Sequence, residues 1–204
     1  MANNLVVKVG GSLYDLPDLG GRLRAWLEAH CTSRILLIPG GGSAADWIRQ
    51  LNTYDHLGEE QSHWLALRAL TFAAHVLSQL LPRAMVIERV EERQAAWDRD
   101  QVPILDLHAF ALADEARAGH LDHSWDVTSD SLAARVAMVA GISHLVLLKS
   151  RSLPEPIDWL AAAGQGLVDR AFPAVVGSLR VSAINFRAWR PAASSAATDT
   201  ATGP

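Results

Sequence analysis

Apolar residues recur along this chain in two rhythms that take turns. Short apolar runs rich in leucine, isoleucine and valine stand at 5–9, 35–38, 84–87 and 102–105, with further strand-like stretches at 142–148 and 180–186. Between most of them apolar residues fall every third or fourth position, as in Leu16, Leu19, Leu23, Trp26 and Leu27. Continuous runs of this length suit strands buried on both faces of a parallel sheet, and the wider spacing suits helices that cover those faces. The pattern predicts helices over 16–30, from Ala44, over 62–81, over 108–118, from Thr128 or Ser129, over 157–163 and from Val168. It leaves a polar loop over 54–61 and a charged, solvated stretch over 88–100. Strand and helix alternate almost throughout, so the fold class is α/β around a largely parallel sheet.

One helix stands apart. Leu65, Ala69, Leu70, Phe72, Ala73, Val76, Leu77 and Leu80 occupy most of the girth of 62–81, leaving Arg68, Thr71, His75 and Gln79 as a narrow polar stripe. An arc that wide is buried in the chain's own core or in a contact between subunits. The expectation is a homodimer interface, with core burial as the alternative. His63 and His75 read as helix histidines with ordinary partners rather than ligands.

The strand over 5–9 carries Lys8 and stops at Gly10-Gly11-Ser12. An ammonium in so apolar a run is costly to bury unless it points out of the strand end toward an anion. Two glycines let backbone N–H groups approach a phosphate that a Cβ would hold off. The reading is a strand mouth holding ATP phosphates with Lys8 on them; an ordinary core strand and turn is the alternative. The arrangement returns at Pro39-Gly40-Gly41-Gly42-Ser43, before the next helix. In open α/β sheets ligands sit beyond the carboxyl ends of strands, where helix N-termini also point. Two neighbouring mouths suit a phosphoryl donor and an acceptor.

Further along, Thr128 or Ser129 can cap a helix and set Asp130 in its first turn, beside the positive end of the dipole. Asp130 is either a plain helix-start residue or an organiser that orients Lys8. Lys149 ends the run over 142–148, followed by Ser150; it is a phosphate contact or a solvated strand end. Asp169 caps a helix or contacts substrate. His120-Leu121-Asp122-His123 pairs two histidines with acids, but no further ligands stand at zinc spacing, and no metal site is expected.

Composition narrows the picture. With 204 residues, half of them hydrophobic, one domain over 1–190 is expected, followed by a disordered tail of small and polar residues over 191–204. A net charge of −4 with scattered basic residues argues against a nucleic-acid partner. The single cysteine, Cys31, excludes an internal disulfide and fits a reducing compartment. No signal-like segment precedes Leu5 and no apolar run spans a bilayer, so the expectation is cytoplasmic, with no membrane partner. Of 18 basic residues only Lys8 and Lys149 are lysines, which singles both out.

Lys8-Val9-Gly10-Gly11-Ser12, Pro39-Gly40-Gly41-Gly42 and Thr128-Ser129-Asp130-Ser131 together resemble, in order and spacing, the motifs of the amino acid kinase superfamily. Ser62-His63-Trp64-Leu65-Ala66, His123-Ser124-Trp125 and Val168-Asp169-Arg170-Ala171-Phe172-Pro173 are similar to its aminomethylfuran phosphate kinase branch, which serves methylofuran synthesis. The resemblance implies a three-layer αβα sandwich and a homodimer or higher homo-oligomer. It implies transfer of the γ-phosphoryl of MgATP to a small phosphorylated acceptor, giving a diphosphate. Other acceptors (UMP or a carboxylate) and a non-catalytic nucleotide- or anion-binding subunit are the alternatives. Carried over residue by residue, Lys8 is the transition-state lysine and Asp130 orients it. Gly10, Gly11 and Ser12 hold the donor phosphates, with Lys149 and Ser150; Gly41, Gly42, Ser129 and Asp169 serve the acceptor. The chain departs from the family in three places. Lys149-Ser150-Arg151-Ser152-Leu153-Pro154 replaces a Thr-Asp-Val-Asp-Gly-type loop, no second lysine stands near Phe172–Val176, and the final helix and strand are missing after Arg190. Lys149 is counted among the catalytic candidates, and whether it takes the missing lysine's place is open at this level.

Overall fold

A computed structural model describes residues 3–191; all but the first residue of the expected tail over 191–204 lies outside them. In chain order the elements are β1 (Asn3–Val9), α1 (Leu19–Ala29), β2 (Ser33–Pro39), α2 (Gly42–Asp55), α3 (Glu59–Leu80), β3 (Ala84–Ile87) and α4 (Arg93–Asp98). Then follow β4 (Val102–Leu105), α5 (Leu107–Asp114), α6 (Ser129–Ala140), β5 (His144–Lys149), α7 (Trp159–Gly164), α8 (Phe172–Val175) and β6 (Arg180–Asn185). The six strands form one sheet in the order β3-β4-β2-β1-β5-β6, and every pair is parallel.

Each central strand is buried on both faces, and its alternating residues feed two cores. Val6, Leu36, Ile38, Leu145 and Leu147 pack on one side with Phe110 of α5, Leu132 and Val136 of α6 and Phe172 of α8. Leu5, Val7, Val9, Ile35, Leu37, Val146 and Leu148 pack on the other with Leu19, Leu23 and Trp26 of α1. Helix, sheet and helix make three layers. The strand β1 lies at the switch point of the sheet: the chain leaves it toward β2 and later returns on its other side through β5. At such a point the loops beyond the strand ends part and leave a crevice.

Two local expectations are corrected, and the core-burial alternative for a third accounts for most of its residues. The loop over 54–61 shrinks to residues 56–58, because His56 (φ 51°) turns the chain left-handed at the end of α2 and Gly58 (φ 86°) starts α3. The stretch over 88–100 is not simply solvated. It holds α4, buries Val90 and Ala96, and its Trp97 indole donates to the Ile35 carbonyl at 2.9 Å. The wide apolar arc of α3 is mostly core: Leu67 and Leu70 enter one hydrophobic layer, Ala74 and Leu77 the other. Its outward apolar residues are Leu65 and Phe72, 44% and 64% exposed.

Candidate active site at the strand mouths

Sheet parity brings the chain's two lysines together. Lys8 shares a face of β1 with Val6, and Leu147 is its partner in register across β5. Lys149 lies two residues past Leu147, so both ammonium groups point toward the layer that holds α6. Asp130 waits there, in the first turn of that helix. Lys8 Nζ stands 2.8 Å from Asp130 Oδ1, and Lys149 Nζ donates to Oδ2 at 2.6 Å. Lys8 and Asp130 are each only 4% exposed. A buried charge left unpaired is expensive, so each member of the cluster depends on the others. Burial alone would raise the Asp130 carboxyl; the two ammonium groups outweigh it and hold the acid below its usual range. Lys149 is pushed down to about 8, by burial first and the neighbouring Lys8 second, against the pull of Asp130 and Asp169. With both lysines protonated the cluster keeps a net positive charge, which suits an anionic ligand.

The glycine turns meet beside it. A Cβ on Gly11 would lie 2.4 Å from the Gly42 nitrogen, and one on Gly40 would lie 2.3 Å from the Gly11 nitrogen. The loops after β1 and β2 therefore touch backbone to backbone, which only glycine permits. Gly42 opens α2 with φ at +55°, so the helix starts at once after the turn. First-turn amides of a helix lack intrahelical partners, and no acceptor among the described residues takes the Gly41 or Gly42 N–H. Gly10 behaves differently from expectation. Its amide donates to the Leu148 carbonyl at 2.9 Å, so it extends the β1–β5 ladder instead of facing a phosphate. Ser12 and Ser150 come together, hydroxyl to hydroxyl at 2.9 Å.

Asp169 caps a helix, the first of its two expected roles. Its Oδ2 accepts from Thr128 N–H at 3.1 Å, Thr128 Oγ1 at 2.9 Å and Ser131 N–H at 2.9 Å. Its Oδ1 accepts from the Ser131 hydroxyl and from Phe172 N–H at 3.0 Å. This carboxylate, far along the chain, does for α6 what a local N-cap side chain does elsewhere, and it fixes the turn that carries Asp130. Asp169 also lines the larger cavity at the strand mouths with Asp130 and Lys149, so its capping bonds leave it beside the space an acceptor would enter.

Two cavities open at these mouths. The larger, about 660 Å³, is walled by Asp130, Lys149, Thr128, Arg49, Trp125 and Arg170 among others. The smaller, about 50 Å³, includes Gly41 and Ser129 in its wall, with His63 and the apolar side chains of α3. Burial pushes His63 below the ordinary histidine range. Sequence reasoning passed over Arg49, and it named His63 and Trp125 without giving either a place in the site. The signal for Arg49 was present: it lies two helical turns beyond Gly42, on the same face of α2. Among the described residues no group of three or more His, Cys, Asp or Glu side chains could hold a metal ion. No described helix is long and apolar enough to cross a membrane.

No protein-family model matches the chain. It is 24% identical over 143 residues to a [5-(aminomethyl)furan-3-yl]methyl phosphate kinase of Methanocaldococcus jannaschii. That match takes in 70% of this chain and 63% of the relative, so the chain spans less than two thirds of the relative's length. In fold it is similar to the UMP kinase of Ureaplasma parvum (TM-score 0.66, 14% identity, 94% of this chain and 92% of that one). The uridylate kinase of Archaeoglobus fulgidus follows, with TM-score 0.61, 12% identity, and 89% and 90% of the two chains. A carbamate kinase of Giardia lamblia bound to AMP-PNP gives TM-score 0.57 at 10% identity, over 91% of this chain and 93% of that one. The motif resemblance, the sequence match and the fold agree: this chain has the α/β fold of the amino acid kinase superfamily and resembles that superfamily in sequence.

Proposed function

We propose that the chain is a kinase that moves the γ-phosphoryl of MgATP onto the phosphate of a small acceptor, making a diphosphate. The observation that carries this is the cluster at the strand mouths: a buried and a partly buried lysine on one aspartate, beside two glycine turns in backbone contact. Phosphoryl transfer asks little covalent chemistry of a protein; positioning and charge stabilisation supply the rate. Here Lys8 and Lys149 neutralise charge on the transferring phosphoryl and on the bridging oxygen as ADP leaves. Lys149 thereby fills the place of the second lysine missing near Phe172. Asp130, held below its usual range, carries no proton at neutral pH and serves to aim both ammonium groups. Gly11, Ser12 and Ser150 border the donor phosphates, and Gly41, Gly42 and Ser129 the acceptor. The acceptor phosphate is already an oxyanion near neutral pH, so its oxygen attacks phosphorus without a general base. The magnesium ion arrives on the nucleotide as part of the substrate.

The sequence match makes the aminomethylfuran-methyl phosphate of the archaeal relative the first acceptor to try, within methylofuran synthesis. A cytoplasmic place suits an ATP-consuming enzyme with one exposed cysteine. A second copy of the chain would cover Leu65 and Phe72 of α3 in a homodimer.

The test is ADP release with that furan phosphate, UMP and a set of carboxylates as acceptors. Lys8→Ala is expected to cut turnover about a thousandfold or more. Tight MgATP binding with no turnover of any acceptor would instead make the chain a non-catalytic nucleotide-binding protein.

A further inference from the structure

We propose that Trp125 and Arg49 select the acceptor, and that it is a phosphate ester of one small ring rather than a nucleotide; this rests on the kinase reading above. Two segments distant in sequence, 62–66 and 123–125, meet at one place. The His63 Nδ1–H donates to the Ser124 carbonyl at 3.3 Å, and the rings of His63 and His123 stack 5.3 Å apart. Behind this contact lies the smaller cavity, lined by Ala66, Leu67, Leu70, Val127 and Leu132. At about 50 Å³ it has room for a single small ring but not for a base and a ribose.

Trp125, Arg49 and Thr128 belong to the walls of both cavities, so they form the threshold between the apolar recess and the Lys149 side. The Arg49 guanidinium lies over the Trp125 ring, 4.6 Å from its centre. Its protein partner is Asp46 at 3.0 Å, a half-exposed pair of the kind that contributes little and yields readily to a phosphate. The Trp125 indole N–H is buried and finds no acceptor among the described residues. Such a donor is costly to leave unmet, and a ring or phosphate oxygen at the threshold satisfies it. A ring in the recess and its phosphate under Arg49 turn the reacting oxygen toward Lys8 and Lys149.

The test compares furfuryl phosphate, UMP and inorganic phosphate as acceptors for the wild-type chain and for Ala66→Leu, which fills the recess, Arg49→Ala, Arg49→Lys and Trp125→Phe. The expected result is a rise of about tenfold or more in the KM for furfuryl phosphate with Ala66→Leu and Arg49→Ala. Arg49→Lys recovers part of the loss, Trp125→Phe shows a smaller rise, and the KM for ATP holds throughout. The unchanged ATP value excludes a folding defect, and Arg49, being exposed, remains informative if Ala66→Leu does not fold. Wild-type turnover that prefers UMP, or that ignores these substitutions, overturns the selection by Trp125 and Arg49 and leaves the kinase reading intact. If no acceptor turns over, calorimetry with furfuryl phosphate decides. Binding lost in Arg49→Ala keeps this site and rejects the kinase reading, whereas no binding by the wild type rejects the site.

Discussion

Lys8 and Lys149 share one carboxylate, with an ammonium on each oxygen of Asp130. The strands that carry them are neighbours, and the sheet gives both side chains the same direction. Two like charges held so close repel, and Asp130 is the carboxylate that contacts both, with Asp169 adding a weaker pull on Lys149. A polyphosphate entering the larger cavity would relieve that repulsion, so the cluster favours the ligand that the proposed reaction requires.

Removing the shared anion should be worse for the fold than removing either cation. Asp130→Asn leaves two buried ammonium groups facing each other, and loss of one partner in a buried ionic group costs about 3–5 kcal/mol. Urea denaturation should show a drop of that order. The double substitution Asp130→Asn with Lys149→Met should recover a good part of it, because one stranded charge goes with the lysine. Equal stability of the single and double variants would show that the repulsion is not what the aspartate relieves.

The lowered Lys149 gives a pH signature. A group at about 8 in the folded chain and 10.5 in the unfolded one binds fewer protons when folded across that window. Stability should therefore rise from pH 8 toward 10.5, the full cost of burying the charged form being felt below 8. Activity should move the other way, since the reaction uses the ammonium: kcat/KM for ATP should fall as pH passes about 8. Bound phosphates favour the charged form, so the fall in kcat should lie at higher pH. Lys149→Arg, which does not titrate in this range, should lose the limb in both profiles.

Asp169 separates positioning from substrate binding. Asp169→Ala strips five donors of their acceptor at the start of α6. Hydrogen bonds to a charged group contribute about 1.5–3 kcal/mol each, with losses that do not simply add, so a stability loss of roughly 3 kcal/mol is expected. With Asp130 loosened, kcat should fall while the KM values for ATP and acceptor change little. A selective rise in acceptor KM at unchanged melting temperature would instead assign Asp169 a direct contact with the acceptor.

Much of this was legible in the sequence, and for identifiable reasons. Continuous apolar runs announce strands buried on both faces, and the expected strands at 84–87 and 102–105 agree with β3 and β4 to the residue. Lys8 was conspicuous as a charge in such a run, and Asp130 as an acid in a first helical turn. What the sequence hides is convergence between distant segments. Nothing local says that Asp169 caps a helix begun some forty positions earlier, or that the Gly10 amide is spent on Leu148. The same blindness applies to Trp125, whose meaning depends on Arg49 lying over it. The arc of α3 left two readings open because apolar girth alone does not distinguish two core layers from one core and one subunit contact.

The contact between the glycine turns provides the sharpest separation of fold from function. At Gly11 an added Cβ meets the Gly42 backbone nitrogen at 2.4 Å, and backbone cannot swing aside as a flexible side chain does. Gly11→Ala must push apart the two loops that the donor and acceptor phosphates share in the proposed site. The strands beneath are pinned by five parallel ladders and two cores, so the shift stays at the mouth, with a stability loss of about 1–3 kcal/mol. Turnover should suffer far more, because a displacement near 1 Å at the reacting centre can cost about a hundredfold. Gly141→Ala is the contrasting case: it also loses a glycine, but φ of +65° makes the strain local to the end of α6, and no atom stands within 4 Å of the new methyl. That variant should lose stability of similar size and keep its kcat. Melting curves and ADP release on the two proteins, side by side, would show whether the glycine turns serve the reaction or only the packing.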